Sequence, residues 1–222
     1  MKLSKRLETI ASFVKKGESI ADVGSDHALV PIYLAKKGII SKALAIDNKK
    51  GPFKVMNEAI KEAHLQNEIS SSLSNGIEKV DESIDTVLIC GMGGLLIKDI
   101  LESHEEKLRF IVALIIDAHS EYETLIPYLG KHGFEAVQSE FFYDKGLPYC
   151  VYRFEKREAP IEYSDMEAKF GPLELKKKEE EWKKYWLWKK GLNDSILAKE
   201  NIPSSKREDL IKENEKIESA IN

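Results

Sequence analysis

The sequence predicts an α/β fold, in which a mostly parallel sheet ends in an antiparallel hairpin and is followed by a C-terminal helical hairpin. Short apolar strand patterns alternate with helical patterns up to residue 132, which is typical of a parallel sheet with helices on both faces. Two further strand patterns then flank the loop Asp144-Lys-Gly-Leu-Pro148, as expected for antiparallel neighbours. After Glu155 the chain is rich in Lys and Glu and has few β-branched runs, which favours helices.

The alternating part begins with an amphipathic helix over residues 2–16, ended by Gly17. Its apolar positions recur at helical spacing and are Leu3, Leu7, Ile10, Ala11 and Val14. Strands are predicted at 19–23, 43–46, 69–73, 84–90 and 110–116, followed by hairpin strands at 135–143 and 149–154. Helices are predicted from Asp26 to Gly38 and over 51–65, 95–101 and 121–132.

The last part of the chain reads as two antiparallel helices joined near residues 201–204. Five apolar residues fall on two alternating heptad positions, which predicts a coiled-coil-like seam: Leu175, Trp182, Tyr185, Leu192 and Ile196. Ser205 and Glu208 have the spacing of a capping box at the start of the second helix. We therefore expect two domains, residues 1–160 and residues 161–222.

Composition argues against a membrane protein, a secreted protein and a metal-binding protein. The 222 residues are 42% hydrophobic and 32% charged, with a formal net charge of −4. An apolar run of about 18 residues, as a membrane span needs, is lacking, and the N-terminus does not resemble a signal peptide. Cys90 and Cys150 lie in predicted strands without metal-ligand spacing. We expect two buried free thiols, no metal, no membrane association and a cytoplasmic protein.

The segment from Ser19 to Pro31 is the first candidate ligand site. A buried strand runs into Gly24, whose backbone freedom suits a sharp turn and the close approach of a ligand. Asp26 is placed to cap the following helix, and Pro31 is tolerated in a first helical turn. Strand, glycine turn and helix start form the usual nucleotide site of α/β proteins. The alternative is a plain, well-capped turn.

Other strand ends supply matching polar groups. Asp47, about twenty residues past the glycine turn, is placed to accept hydrogen bonds from ribose hydroxyls, unless it is only a strand cap. Asn75 offers both a donor and an acceptor to an adenine edge. Gly91, Gly93 and Gly94 are expected to leave room for a substrate beside the backbone.

The first turn argues against NAD. It lacks the Gly-x-Gly-x-x-Gly pattern, and Asp26 would repel a pyrophosphate. A sulfonium cation would be attracted by the same carboxylate, so S-adenosylmethionine is the cofactor that this pattern favours.

Several motifs together resemble one known family, the bacterial tRNA (adenine-N1)-methyltransferases that modify position 22 of tRNA. The motifs are Ile20-Ala-Asp-Val-Gly-Ser-Asp-His-Ala-Leu-Val-Pro31, Ala45-Ile-Asp47, Gly51-Pro52, Asn75-Gly76, Cys90-Gly-Met-Gly-Gly94 and Phe170-Gly-Pro172. The resemblance covers essentially the whole chain. It implies a Rossmann-like methyltransferase domain, a coiled-coil-like helical domain, S-adenosylmethionine as methyl donor and tRNA as substrate.

The resemblance also implies site residues. Asp26 is expected to be catalytic, stabilising the positive charge that adenine N1 gains or taking a proton from the exocyclic amine. The expected cofactor residues are Gly24, Ser25, Asp26, His27, Asp47, Asn48, Asn75, Gly76, Gly91 and Met92. The chain departs from the family pattern at Asp117-Ala-His119, where Gln-Pro-Asn is usual, and at Asp144-Lys-Gly-Leu-Pro148, where an acid-rich Asp-Gly-Lys hairpin is usual.

Phosphate contacts are expected from two basic clusters, although such clusters also occur on solvated helix faces. They are Lys2, Lys5, Arg6, Lys15 and Lys16 on the first helix, and Lys176–Lys178, Lys183, Lys184, Lys189 and Lys190 on the hairpin. A monomer is favoured. Two alternative functions remain open: methylation of a small metabolite, and a non-catalytic methyltransferase-like binding protein.

Overall fold

The computed structural model describes residues 2–222, which form one seven-stranded sheet in the order β3-β2-β1-β4-β5-β7-β6. The strands are β1 (Ser19–Val23), β2 (Lys42–Asp47), β3 (Ile69–Leu73), β4 (Thr86–Met92), β5 (Ala113–Ala118), β6 (Phe134–Asp144) and β7 (Leu147–Lys156). The first five are parallel, and β7 runs antiparallel to both β5 and β6. The predicted mixed sheet is thus confirmed.

Nine α-helices fall within the described residues. They are α1 (Lys5–Ser12), α2 (Leu29–Lys36), α3 (Lys50–Glu62), α4 (Gly94–Glu102), α5 (Tyr122–Lys131), α6 (Asp165–Phe170), α7 (Glu174–Lys177), α8 (Glu180–Leu197) and α9 (Ser204–Ile221). A 3-10 turn covers Glu105–Arg109. None of the helices over residues 2–222 has the length and apolar character needed to cross a bilayer.

The sheet core is split by the strand pleat into two apolar layers. In β4, Val87 and Ile89 join the cluster under α4 and α5, whereas Leu88 joins the cluster under α1, α2 and α3. Side chains of a strand alternate between faces, so a strand covered on both sides is apolar throughout. This double coverage leaves the carboxyl ends of the strands as the open edge of the sheet.

Several predicted boundaries are wrong. The strand predicted from residue 110 begins at Ala113, because the 3-10 turn ends with Phe110 as its C-cap. The helix predicted over 2–16 covers only Lys5–Ser12, so Lys2, Lys15 and Lys16 lie outside it. Ser4 caps α1 by accepting a hydrogen bond from the Leu7 amide, which sets its start.

Asp26 does not cap the helix after the first turn. Helix α2 begins at Leu29, and its flanking residue Ala28 has a left-handed backbone (φ 51°) with no side-chain cap. Asp26 is itself left-handed, with φ 44°. The chain therefore makes a longer turn than predicted, while Pro31 lies in the first helical turn as expected.

The C-terminal helices dock on the sheet through an aromatic cluster. Buried Phe170, Trp182, Ile217 and Ala220 pack together, and the Trp182 indole donates to the Phe170 carbonyl over 3.1 Å. Gly171 has φ 91°, and a side chain there would collide with the Tyr152 hydroxyl and Glu174. A glycine at this position thus permits the close approach between the helices and β7.

The predicted coiled-coil seam does not form as expected. Leu192 remains 42% exposed, whereas the buried Asn214 of α9 donates to Asp194 over 2.8 Å and accepts from Asn193 over 3.0 Å. The predicted capping box is also wrong, since α9 starts at Ser204 after Pro203 without a side-chain cap. The two antiparallel helices are joined by these polar contacts and by the packing of Trp182 against Ile217 and Ala220.

Both cysteines are free and lie in strands, as predicted. They are half-buried rather than fully buried, and burial raises the pKa of each thiol. Neither thiol is therefore favoured as a thiolate nucleophile.

Candidate cofactor pocket and active site

A cavity of about 660 Å³ opens at the carboxyl ends of β1, β2 and β3. Its walls come from the turns after these strands, from β4 and from α4. Seven residues that were predicted from the sequence line it: Gly24, Asp26, Asp47, Asn48, Asn75, Gly76 and Met92. Because parallel strands end at one edge of the sheet, residues from Val23 to His104 meet here.

The turn after β1 forms one end of the cavity and is fastened to β2. The amides of Gly24 and Ser25 both donate to the Ile46 carbonyl, over 2.9 and 3.0 Å. Gly24 has φ 76°, and an added β-carbon would collide with the Met92 methyl group. Glycine therefore fits here for both conformation and space.

Asp47 is the buried carboxylate of the cavity. Its Oδ1 accepts from the Lys49 amide over 2.8 Å, and among residues 2–222 its Oδ2 accepts no hydrogen bond. This oxygen is available to accept from a ligand hydroxyl, as a ribose-binding acid must. Asp47 is the last residue of β2, at the strand end where the sequence predicts it.

The turns after β2 and β3 supply the amide groups, Asn48 and Asn75. Asn48 donates to Asn75 Oδ1 over 3.3 Å, which holds both side chains at the cavity wall. Gly76 has φ 50°, and a β-carbon there would press on Ile100 of α4. The cavity is thus closed on this side by α4, which contributes Leu96, Asp99 and Ile100.

Three predicted cofactor residues do not line the cavity. Ser25 is buried and donates to Asp22 over 2.5 Å. His27 is half exposed, with Nε2 3.4 Å from the Asp26 carboxylate, and Gly91 faces Arg6. These residues border the cavity through their neighbours in the chain.

Asp22 is a buried acid beside the cavity that was not among the predicted site residues. It lies on β1, only 9% exposed, and burial raises the pKa of its carboxyl to about 6 despite the hydrogen bond from Ser25. An aspartate within the otherwise apolar centre of β1 is the feature of the sequence that indicates this buried acid. It orients the turn that carries Gly24 and Asp26.

The glycines after β4 do not leave the expected room for a substrate. A β-carbon on Gly94 would lie 2.6 Å from the Glu121 carbonyl, and one on Gly93 would lie 2.9 Å from the Glu121 carboxylate. The Gly94 amide donates to the Ser120 carbonyl over 2.9 Å. These glycines allow the turn to pack against the segment after β5.

An ion pair that the sequence did not predict lies at the carboxyl ends of β4 and β5. Arg6 of α1 donates through Nε to Asp117 Oδ2 over 2.6 Å, and its guanidinium lies 5.3 Å from the Tyr149 ring. Asp117 is fully buried, and its Oδ1 has no hydrogen-bond partner within residues 2–222. Burial raises the pKa of Asp117, and Arg6 opposes the shift.

The charge of the cavity distinguishes between nucleotide ligands. Three carboxylates line it, Asp26, Asp47 and Asp99, against one lysine, Lys49. Such a surface opposes a pyrophosphate and suits a nucleoside that carries a cation, so the residues present fit S-adenosylmethionine. No cluster of three potential metal ligands occurs in residues 2–222.

The sheet has a reversed strand beside β5 and an acidic pocket at its open edge. Together these features place the chain in the Rossmann-like methyltransferase class. A family model described as "Methyltransferase domain" matches residues 3–152. A tRNA (adenine(22)-N(1))-methyltransferase of Bacillus subtilis (strain 168) is 30% identical over 174 residues, covering 78% of this chain and 73% of that protein. The chain belongs to this methyltransferase family.

Solved structures agree with this assignment. A Streptococcus pneumoniae protein in complex with S-adenosyl-L-methionine has a TM-score of 0.91 and 29% identity, with both chains covered completely. M. capricolum TrmK in complex with S-adenosyl-homocysteine has a TM-score of 0.90 and 27% identity, covering 100% of this chain and 98% of that one. The similarity includes the C-terminal helices, since it spans the whole chain.

Proposed function

We propose that the protein transfers a methyl group from S-adenosylmethionine to N1 of adenine 22 in tRNA. The observation that carries the proposal is the acidic nucleoside cavity with its open Asp47 oxygen, in a chain of the tRNA (adenine(22)-N(1))-methyltransferase family. When bound, the cofactor supplies an electrophilic methyl group on a sulfonium. The cytoplasm, where tRNA is modified, is the proposed location.

Each cavity residue has a proposed role. Asp47 accepts from the ribose hydroxyls, and Asn75, held by Asn48, faces the adenine edge. Gly24 lets the ligand approach the backbone, and Met92 closes the cavity beside it. The acidic Asp26 lies at the end that suits a cation.

The reaction requires little proton transfer by the protein. Neutral adenine N1 has a free lone pair once the base is unpaired, so positioning supplies much of the rate. The base becomes positively charged as it is methylated, and we propose that the Asp26 carboxylate stabilises this charge.

We further propose that residues 1–160 form the catalytic domain and residues 161–222 a tRNA-binding appendage. Several lysines of the predicted basic clusters have intramolecular partners: Lys15 pairs with Glu155, Lys177 donates to Ser139, and Lys190 pairs with Asp194 and Glu218. Lys183 and Lys184, which form no salt bridge with other residues in 2–222, are the proposed phosphate contacts of the appendage.

One experiment tests the function. The purified protein is incubated with methyl-labelled S-adenosylmethionine and unmodified tRNA, and the labelled base is mapped. We expect label on N1 of adenine 22. Label only on small metabolites, or cofactor binding without any transfer, would contradict the proposal and favour the metabolite enzyme or the binding protein respectively.

Asp26→Asn is expected to lower the rate of methyl transfer at least tenfold, because asparagine has no negative charge to stabilise the methylated base. The fold is expected to be kept, because the Asp26 side chain is exposed. The measurement is single-turnover methylation of tRNA, together with a thermal unfolding curve. Glu58→Gln removes an exposed carboxylate outside the cavity and serves as the control. An unchanged rate in Asp26→Asn would remove Asp26 from the mechanism.

A further inference from the structure

A second cavity, of about 360 Å³, lies between the β6–β7 hairpin and the C-terminal helices. It is separate from the cofactor pocket, and its inner wall is the segment His119–Glu121 after β5. Its volume falls within the range of small-molecule sites, about 300–1,000 Å³. The sequence patterns predict no ligand at this place.

Aromatic side chains from three parts of the chain line this cavity. Phe141 and Tyr149 come from the hairpin, Phe170 from α6, and Tyr185 and Trp186 from α8. Tyr185 contacts Phe141 and Trp186, with ring centroids 5.6 and 5.2 Å apart. Such an arrangement offers flat apolar faces on which a planar ring stacks.

One indole in the cavity has an unused donor. Trp186 lines the wall, and its Nε1–H is buried without a hydrogen-bond partner among residues 2–222. Trp182, one turn earlier, donates to the Phe170 carbonyl instead. A buried donor without a partner is unfavourable, and an acceptor on a bound ring would supply the missing partner.

The charge of the cavity excludes a phosphate. Four carboxylates line it, Glu121, Glu123, Glu174 and Glu213, against the two lysines Lys169 and Lys189. Lys169 is already 2.9 Å from Glu213 and 3.4 Å from Glu123. Carboxylates accept hydrogen bonds from exocyclic amines, so an amino-bearing ring suits these walls better than an anion does.

The inner wall connects the two cavities. The His119 amide donates to the Met92 carbonyl over 2.9 Å, while Met92 itself lines the cofactor pocket. The His119 ring lies edge-on to Tyr149 at 6.0 Å in the aromatic cavity. A ring bound there lies just across this wall from the cofactor pocket.

We propose that the aromatic cavity binds an unpaired nucleobase with an exocyclic amine, contributed by the RNA substrate. The base stacks on Tyr185 and accepts a hydrogen bond from Trp186 Nε1. The proposal rests on tRNA being the substrate. The base is either the one that is methylated or a neighbour in the same strand.

Binding is measured by tryptophan fluorescence in a Trp188→Leu background, since Trp188 is 56% exposed and outside the cavity, whereas Trp182 and Trp186 line it. The probes are a single-stranded oligoadenylate and an abasic oligonucleotide of equal length, with S-adenosyl-homocysteine saturating the cofactor pocket. We expect saturable quenching by the oligoadenylate alone. Tyr185→Leu keeps an apolar side chain and is expected to weaken binding about tenfold.

Trp188→Leu is also the matched control, because it removes an aromatic ring from the same helix and is expected to leave oligoadenylate affinity, measured by filter binding, unchanged. Equal quenching by the abasic strand, or an unchanged affinity in Tyr185→Leu with a normal unfolding curve, would overturn the proposal. A failure of methyl transfer with intact quenching would instead contradict the proposed function alone.

Methylation kinetics of Tyr185→Leu distinguish the two sources of the base. If the cavity holds the methylated adenine, kcat falls at saturating tRNA. If it holds a neighbouring base, KM for tRNA rises about tenfold at constant kcat.

Discussion

At the scale of single residues, Asp22 shows how one buried carboxyl supports the ligand turn. It lies on the central strand β1 and accepts from Ser25, which fixes the turn that carries Gly24. Burial makes its ionisation unfavourable, whereas the exposed Asp26 four residues later stays in contact with water. Neighbouring acids in one motif therefore serve different purposes.

Asp22→Asn is expected to stabilise the protein above pH 6. The pKa of Asp22 rises from 3.8 to about 6 on folding, so the folded state binds more protons than the unfolded state between these values. The Asp22 contribution to stability is therefore fully present below pH 4 and is lost as the pH rises through 6. Asparagine retains an acceptor for Ser25 and does not ionise. The free energy of unfolding that ionisation of Asp22 removes is about 3 kcal/mol at pH 7.5.

Urea unfolding of both proteins at pH 4.5 and 7.5 measures the effect. The difference between them is expected to grow with pH, and Asp209→Asn, an exposed acid of α9, is expected to show no such trend. A difference that shrinks as the pH rises would contradict a raised pKa.

At the scale of elements, the Arg6–Asp117 ion pair fastens α1 across the carboxyl ends of β4 and β5. Arg6 also donates its backbone amide to Asp144 over 3.3 Å, so α1 is joined to the tip of the hairpin as well. An added β-carbon on Gly91 would lie 2.6 Å from the Arg6 guanidinium. The first helix thus completes the edge of the sheet next to the active site.

Arg6→Met is expected to lower the free energy of unfolding by about 3 kcal/mol at neutral pH, because a fully buried carboxylate loses its cation. Adding Asp117→Asn removes the buried charge and is expected to recover most of the loss. Urea titrations of the single and double variants measure both values. Lys5→Met, on an exposed neighbour in the same helix, is the control, and an equal loss there would contradict a specific role of the pair.

At the scale of the whole molecule, a net charge of −4 accompanies a proposed RNA surface, so local charge has to attract the phosphates. The lysines of α8 are the best candidates in the appendage. Lys183 and Lys184 form no salt bridge with other residues in 2–222, unlike Lys190. They lie on the same helix as the aromatic residues of the second cavity.

Replacing Lys183 and Lys184 by Glu is expected to weaken tRNA binding at least tenfold at low salt, while cofactor affinity stays constant. Each lost phosphate contact reduces the slope of log K against log salt by about 0.7–0.9, so two contacts reduce it by about 1.5–2. Filter binding over a salt series gives the slope. The control replaces Lys36 and Lys61, exposed ends of α2 and α3, and an equal effect there would indicate nonspecific charge.

The sequence by itself determined the sheet and the cofactor edge, because both depend on local patterns. Apolar strands that end in Gly24, Asp47 and Asn75 must bring these residues to one edge of a parallel sheet. Tertiary structure alone decided what depends on packing between distant segments. Arg6 reaches Asp117, Glu121 fills the space beside Gly94, and the hairpin meets α8 around an aromatic cavity. These contacts follow from the docking of whole elements, which residue spacing along the chain does not encode.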